Sequence, residues 1–247
     1  MKLQLIYSIL LCCSLSWANG KAKHEQWTNV LKKYTQEKNQ QVLVNYQAIK
    51  KNINDLNLYL KQLEQINTKD FNKLNKKEKL AFWINAYNAY TVQLIVDHYP
   101  VQSIKDINAG WFKGGPWKKK FIKLLGNSYS LDNIEHDIIR KDFAEPRIHF
   151  AVNCASIGCP SLFQEAFIAE KLDEQLNQAA KHFLSNQNKN QIKDNTMQLS
   201  KIFKWYGGDF EKQYGNYQQF IIQTLGLEKK NYSVDFLDYD WSLNETK

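Results

Sequence analysis

Residues 81–96 read Ala81-Phe82-Trp83-Ile84-Asn85-Ala86-Tyr87-Asn88-Ala89-Tyr90-Thr91-Val92-Gln93-Leu94-Ile95-Val96, a run without a charged side chain. It is shorter than the roughly 20 apolar residues that span a bilayer, and Asn85, Asn88 and Gln93 interrupt it. The run therefore predicts a helix buried in a protein core, ended at Tyr99-Pro100. Inside such a core the amides of Asn85 and Asn88, three positions apart, must find hydrogen-bond partners, either in loop backbone or in a ligand lining a pocket.

Working outward, Ile53, Leu56, Leu60, Leu63 and Ile66 mark an amphipathic helix before the run. Residues 21–47 form a polar, helix-tolerant lead-in with Trp27, Val30, Leu31 and Tyr34 at helical spacing. After it, Phe121 to Leu125 and Ser128 to Leu131 flank Gly126-Asn127, a hairpin signal. Asp132 is expected to cap a short helix reaching Arg140, and the alternation from Arg147 to Asn153 reads as a strand. A helix over 165–184, a strand over 197–200, a helix over 218–225 and a strand over 233–238 complete the pattern. No repeat or long linker breaks it. The expected fold is a single helix-rich α+β domain with a small, mostly antiparallel sheet, a helical lead-in over 19–75 and the main domain over 76–247.

The 247 residues carry 33 Lys and Arg, of which only Arg140 and Arg147 are arginine, against 25 Asp and Glu, for a net charge of +8. With 43% hydrophobic residues and only four prolines, a wholly disordered, collagen-like or coiled-coil chain is excluded. Lys2, the apolar run Leu3 to Leu15 and Ser16-Trp17-Ala18 have the three parts of a secretory signal peptide, with cleavage expected after Ala18. Cys12 and Cys13 leave with it, so the mature chain keeps Cys154 and Cys159 in an oxidising compartment, the periplasm or the exterior. Nucleic acid is then not the expected partner. The segment from Trp111 to Lys123, with Lys113, Trp117 and four further lysines, reads as a solvated lysine-rich hairpin or as a surface for an anionic glycan or a membrane. The sequence has no P-loop, no GxGxxG opening a helix, no HExxH and no paired CxxC, and neither cofactor nor metal is expected.

The densest group of chemically capable residues lies between Glu135 and Cys159. Helical spacing puts Glu135 beside Leu131, Ile138 and Ile139, so this carboxylate faces the core and needs a partner, for which Arg147 and His149 are the nearest candidates. That arginine stands twice in a chain otherwise committed to lysine points to sites needing a planar bidentate donor, for protein or for ligand. In an extended strand His149 and Cys154 would be about 16 Å apart, out of contact unless the strand breaks. Cys154 and Cys159 enclose a loop able to turn at Gly158 and bring their Cα atoms within the roughly 5.5 Å of a disulfide. Two readings stay open: a bridge, or a nucleophilic Cys154.

Several blocks together resemble one known family. They are Phe82-Trp83-Ile84-Asn85-Ala86-Tyr87-Asn88-Ala89, Ser130 to His136, Pro146 to Ala151 with Cys154-Ala155-Ser156 and Cys159-Pro160, Ser200 to Tyr206 with Asp209-Phe210, and Leu237 to Asn244. This ordered set, spanning about Lys76 to Asn244, resembles the DUF547 domain, a domain of unknown function found in bacteria and plants. The resemblance implies that the equivalents of Asn85, Asn88, Glu135, His149 and Cys154 recur, whereas plant members can carry serine in place of Cys159. It implies no activity.

Two functions are expected. In the first, an exported thiol-dependent hydrolase or transferase acts on an amide, ester or thioester, with Cys154 as nucleophile, His149 as acid or base, Glu135 orienting it and Arg147 clamping substrate; Asn85, Asn88 and Trp111 are further candidate binding residues. In the second, the same residues form the core of a binding or assembly module stapled by Cys154–Cys159.

Overall fold

The computed structural model describes residues 20–107 and 115–246. The leader, Trp111 and Lys113 lie outside them. Up to and including the central helix, the order is α1 (Gly20–Tyr34), β1 (Thr35–Lys38), β2 (Gln41–Val44), α2 (Tyr46–Lys51), α3 (Asn54–Glu64), α4 (Thr68–Lys73) and α5 (Lys76–His98). Helix α5 opens with a capping box, in which the Asn75 side chain accepts from Glu78 N–H and the Glu78 carboxylate accepts from Asn75 N–H, satisfying two otherwise orphaned donors. From Leu80 to Val96 it is buried on nearly every side. The lead-in supplies part of that cover: α1, α2 and α3 all pack on α5, and Trp27 stacks on Tyr59 with ring centres 5.6 Å apart. The expected helical lead-in is thus interrupted by a hairpin, β1 with β2, turning through Asn39 and Gln40 in left-handed conformations.

Beyond α5, β3 (Ile122–Leu124) and β4 (Asn127–Tyr129) form the expected hairpin. Residues 133–139 wind as a π-helix that runs into α6 (Arg140–Phe143). Asp132 does not cap it. The reciprocal bonds Ser130 N–H to Asn133 Oδ1 and Asn133 N–H to Ser130 Oγ hold its start instead.

The strand expected from Arg147 to Asn153 is not formed. Pro146 to Phe150 is a 3₁₀ turn, started by Pro146 and by Glu145 accepting the Arg147 N–H at 3.1 Å. Its polar and apolar residues are all buried, so the alternation that looked like two faces of a strand records no difference in exposure. The next helix, α7 (Leu172–Ser185), likewise starts later than expected. Residues 166–168 are occupied by side-chain bonds, with Gln175 holding Ala166 O and Ile168 N.

The chain closes with β5 (Gln191–Lys193), β6 (Thr196–Leu199), α8 (Lys201–Tyr206), a 3₁₀ turn Gly207–Phe210, α9 (Glu211–Tyr214), α10 (Tyr217–Leu225) and β7 (Ser233–Phe236). Strand β6 pairs antiparallel with β5 and parallel with β7. These elements bury a second, aromatic cluster around Phe150, Phe183, Phe203, Phe210 and Phe220. The whole is a helix-rich α+β fold with small sheets, as expected.

Asn85 and Asn88 tie two loops to α5. Asn85 donates to Phe167 O at 2.8 Å and accepts from Phe167 N at 2.9 Å, while Asn88 donates to Ala151 O and accepts from Asn153 N, both at 2.8 Å. Each amide takes the place of a strand partner for a buried, non-repetitive segment. Replacing Asn88 by Leu strands two backbone groups, each costing about 1–3 kcal/mol. The expected loss is about 2–6 kcal/mol, read as a drop in the urea midpoint, against less than about 0.5 kcal/mol for Leu58→Gln at an exposed position.

Candidate functional site

The π-helix, the Pro146 to Phe150 turn, the cysteine loop and α8 meet around a cleft of about 290 Å³, close to the small end of ligand-binding cavities. Glu135, His149 and Cys154, drawn from three of these elements, all border it. Its remaining walls are strongly aromatic, with Tyr87, Trp117, Trp205, Tyr206, Tyr239 and Trp241. The C-terminal stretch packs tilted rings against α8, Tyr239 lying 4.6 Å from Trp241 and 4.9 Å from Trp205. A larger hollow of about 640 Å³ between the β1–β2 hairpin and α7 contains none of the three reactive residues.

His149 is buried and its ring is fixed on two sides. Tyr206 stacks on it at 4.2 Å, and its Nε2 lies 2.7 Å from Asp209 Oδ2. Asp209 is itself gripped by Arg140 through Nε at 2.7 Å and Nη2 at 2.8 Å. Burial opposes the charge on Asp209, but the hydrogen bonds from Arg140 and His149 outweigh it and hold the carboxyl below the usual carboxylate range. A carboxylate only accepts, so Nε2 carries the imidazole proton and Nδ1 of the neutral ring is the basic atom. The orienting carboxylate is therefore Asp209. Glu135, expected in that role, interacts instead with the hydroxyls of Tyr87 and Tyr206, whose ionisation is pushed upward chiefly by burial and further by that carboxylate. Tyr206, which it meets, is the ring stacked on His149.

Cys154 and Cys159 are joined in a disulfide, with Cα atoms 6.0 Å apart. Cys159 is buried, whereas Cys154 is partly exposed toward the cleft. The Tyr239 hydroxyl sits 3.2 Å from each sulfur. The loop between them is held by Asn153, whose side chain accepts from Ala155 N and donates to Pro160 O. Gly158 is required there: a Cβ would lie 2.9 Å from the Tyr239 ring and from Asp240 O. Because residues 146–150 turn rather than extend, His149 and Cys154 border one cleft despite the separation that a strand would have imposed.

Three other expected site residues lie elsewhere. Arg147 commits its guanidinium to Glu145, at 2.7 and 2.6 Å, and to Asn177 and Asp173. It does not border the cleft, and neither do Asn85 and Asn88, whose amides are committed to backbone. Both arginines are bidentate donors, as their rarity implied, and in both the acceptor is protein. Sequence reasoning gave Asp209 no role, since it lies sixty residues after His149. Its signal was the bidentate demand at Arg140. The cleft aromatics at 205–206 and 239–241 stand within the blocks that carry the family resemblance, but no spacing or composition in the sequence assigned them to a site.

Residues 71–184 match the model of the family described as protein of unknown function, DUF547. No curated protein and no solved structure matches the chain. The matched span contains Glu135, His149 and Cys154, while Tyr206, Asp209, Tyr239 and Trp241 come after it.

The Asp209 bonds have a consequence for stability. A carboxyl held low in the folded state stabilises at pH values above its unfolded value, near 4, and that contribution is lost as pH falls toward the folded value. Asp209→Asn is expected to lower the denaturant midpoint at about pH 7. The difference from wild type should shrink below about pH 4. Denaturation curves at pH 7 and pH 3 check both statements.

Proposed function

For a chain carrying a DUF547 domain over residues 71–184, we propose that the aromatic cleft is the reaction centre of an exported thiol-dependent hydrolase or transferase acting on amide, ester or thioester bonds of the cell envelope. The observation that carries this reading is the meeting of Cys154 with an oriented imidazole in one cleft, from elements that the sequence separates. His149 has what a general base needs: a fixed ring, a tautomer set by Asp209 and a basic Nδ1. The signal-like leader and the disulfide support an oxidising compartment.

The disulfide withholds the thiol, so the reaction begins with its reduction. A dithiol exchanges with the Cys154–Cys159 bond; its own two thiols become a disulfide and both cysteines become thiols. Cys154, the more exposed cysteine, then gives its proton to His149 and adds to the substrate carbonyl carbon. Collapse breaks the bond to the amine, alcohol or thiol, which takes the proton back from His149. The acyl thioester left on Cys154 passes to water or to a second nucleophile, regenerating the thiol.

A second reading is favoured by the disulfide itself. With the sulfurs bonded, the same cleft is a ring-lined binding site on a stapled loop, and the chain is a binding or assembly module.

Alkylation separates the two. Under the first reading, iodoacetamide leaves the untreated protein unlabelled, and after dithiothreitol it modifies Cys154 faster than Cys159. The reduced protein then cleaves a p-nitrophenyl ester or a thioester. Cys154→Ser abolishes cleavage, and His149→Gln, with folding checked by circular dichroism, slows it by about 100-fold or more. Reduced protein that neither labels preferentially at Cys154 nor turns over an acyl substrate points to the binding module.

A further inference from the structure

The hydroxyl of Tyr239 lies 3.2 Å from Cys154 Sγ and 3.2 Å from Cys159 Sγ. Ser156, fully buried, stands beside it, its Oγ 3.3 Å from Cys154 Sγ and 3.4 Å from the Tyr239 oxygen, to which it donates. The Cys154 N–H points at Cys159 Sγ from 2.8 Å. Three hydrogen-bond donors thus converge on the sulfur pair, yet a disulfide sulfur carries no charge and accepts only weakly. A thiolate accepts strongly, because a hydrogen bond to an ionised group is about twice as strong as one between neutral groups. The donors are matched to the reduced cysteines rather than to the bridge.

Specific contacts hold Tyr239 in this place. The tail that carries it is bonded to the cysteine loop by Gly158 N to Asp240 O and Ile157 N to Ser242 O, both at 2.8 Å. Trp205 and Trp241 pack on its ring. On the loop side the missing side chain of Gly158 leaves the room, since a Cβ there would fall 2.9 Å from the ring. Burial raises the ionisation of the phenol above its ordinary value, so it is still a donor at any pH where a thiol ionises.

We propose that Tyr239 holds the Cys154 thiolate: once the bridge is reduced, its O–H donates to Cys154 Sγ while its oxygen accepts from Ser156, and the sulfur stays ionised near neutral pH. The chain of two hydroxyls polarises toward the sulfur. The thiol proton leaves to His149 or to solvent, and the phenol keeps its own. This role rests on the thiol reading of the cleft only in that the bridge must open, and its test reads the sulfur rather than turnover.

The charged groups around the sulfurs are Asp132, Glu135, His136 and His149, which border the cleft, and Lys189, whose ammonium donates to Cys159 O. The tail adds Asp240, and the phenols of Tyr87 and Tyr206 on the cleft wall are raised by burial and stay neutral. The carboxylates oppose a thiolate and the cations favour it. Burial lowers the Lys189 amine to about 7, so it titrates in the same range. All of these are unchanged when one phenol oxygen is removed, so the difference between wild type and Tyr239→Phe isolates the hydroxyl.

The pH dependence of alkylation tests the proposal. The full chain is reduced with dithiothreitol, freed of it, and treated with iodoacetamide across the pH range, with labelling of Cys154 read by mass spectrometry. In wild type the Cys154 rate should rise through a midpoint below the ordinary thiol value of about 8.5. Tyr239→Phe, which keeps the ring and its packing, should raise that midpoint by about one to two pH units, a roughly ten- to hundredfold loss of thiolate at a pH below both midpoints. Ser156→Ala, a second variant that leaves the ring untouched, should move it the same way by less. Tyr232→Phe, whose hydroxyl donates to Glu228 O, should not move it. A midpoint unchanged in Tyr239→Phe, one moved equally by Tyr232→Phe, or a bridge that opens only as the circular dichroism of the fold is lost would each overturn the assignment. Turnover is a separate result. A midpoint that depends on Tyr239 in a protein that cleaves no ester or thioester supports this role and removes the hydrolase reading, and turnover with an unmoved midpoint does the reverse.

Discussion

Helix α5 is buried over most of its length, and the two asparagines on it cannot reach water. Their amides can be satisfied only by groups brought to them, and the groups brought are the backbones of Phe167 and of Ala151 with Asn153. This constraint organises the cleft wall. Tying residues 151–153 to α5 fixes where the cysteine loop starts. Asn153 then commits its own side chain to Ala155 and Pro160, folding the loop back on itself. The C-terminal tail is laid along the same loop, with Ile157 N bonded to Ser242 O, Gly158 N to Asp240 O and Asn244 N to Ala155 O. Buried polar groups thus carry position from the core helix to the cleft, because each must be paired and each pairing is directional.

A second chain of interactions sets the electrostatics. Arg140 holds Asp209, Asp209 holds His149, and Tyr206 stacks on His149 while its hydroxyl meets Glu135. The members come from the π-helix region, the Pro146 turn, the end of α8 and the turn after it. The wider winding of residues 133–139 belongs here as well, since π-helical turns recur at functional sites where a side chain must be re-aimed. The disulfide and its Tyr239 partner form the opposite chemical element of the cleft, and whether the sulfurs are bonded or free decides which of the two proposed functions the cleft performs.

Much of this was legible in the sequence. The uncharged run 81–96 marked the buried helix, and the spacing of Ile53 to Ile66 marked its amphipathic neighbour. Glu135, His149 and Cys154, close in the sequence, border one cleft, and the two arginines pointed to bidentate acceptors. The differences share one cause: local pattern does not report structure where long-range bonds prevail. Arg147 to Asn153 alternates like a strand, but alternation reports structure only when one face is wet, and here Arg147, Ile148, His149 and Phe150 are all buried. Likewise residues 166–168 look helical, but the side chains of Asn85 and Gln175 take their backbone groups in place of a helix.

By itself, then, the sequence determined which segments are core, which helices are amphipathic and which short stretch holds the reactive residues, because those properties are written in local composition and period. The tertiary structure decided the pairings. That Asp209 rather than Glu135 orients His149, that Arg147 serves Glu145 rather than a ligand, and that Tyr239 meets both sulfurs all depend on contacts that a linear reading does not specify. Hydrogen bonds and ion pairs act over a few ångströms, and nothing in a linear order states which groups folding brings that close.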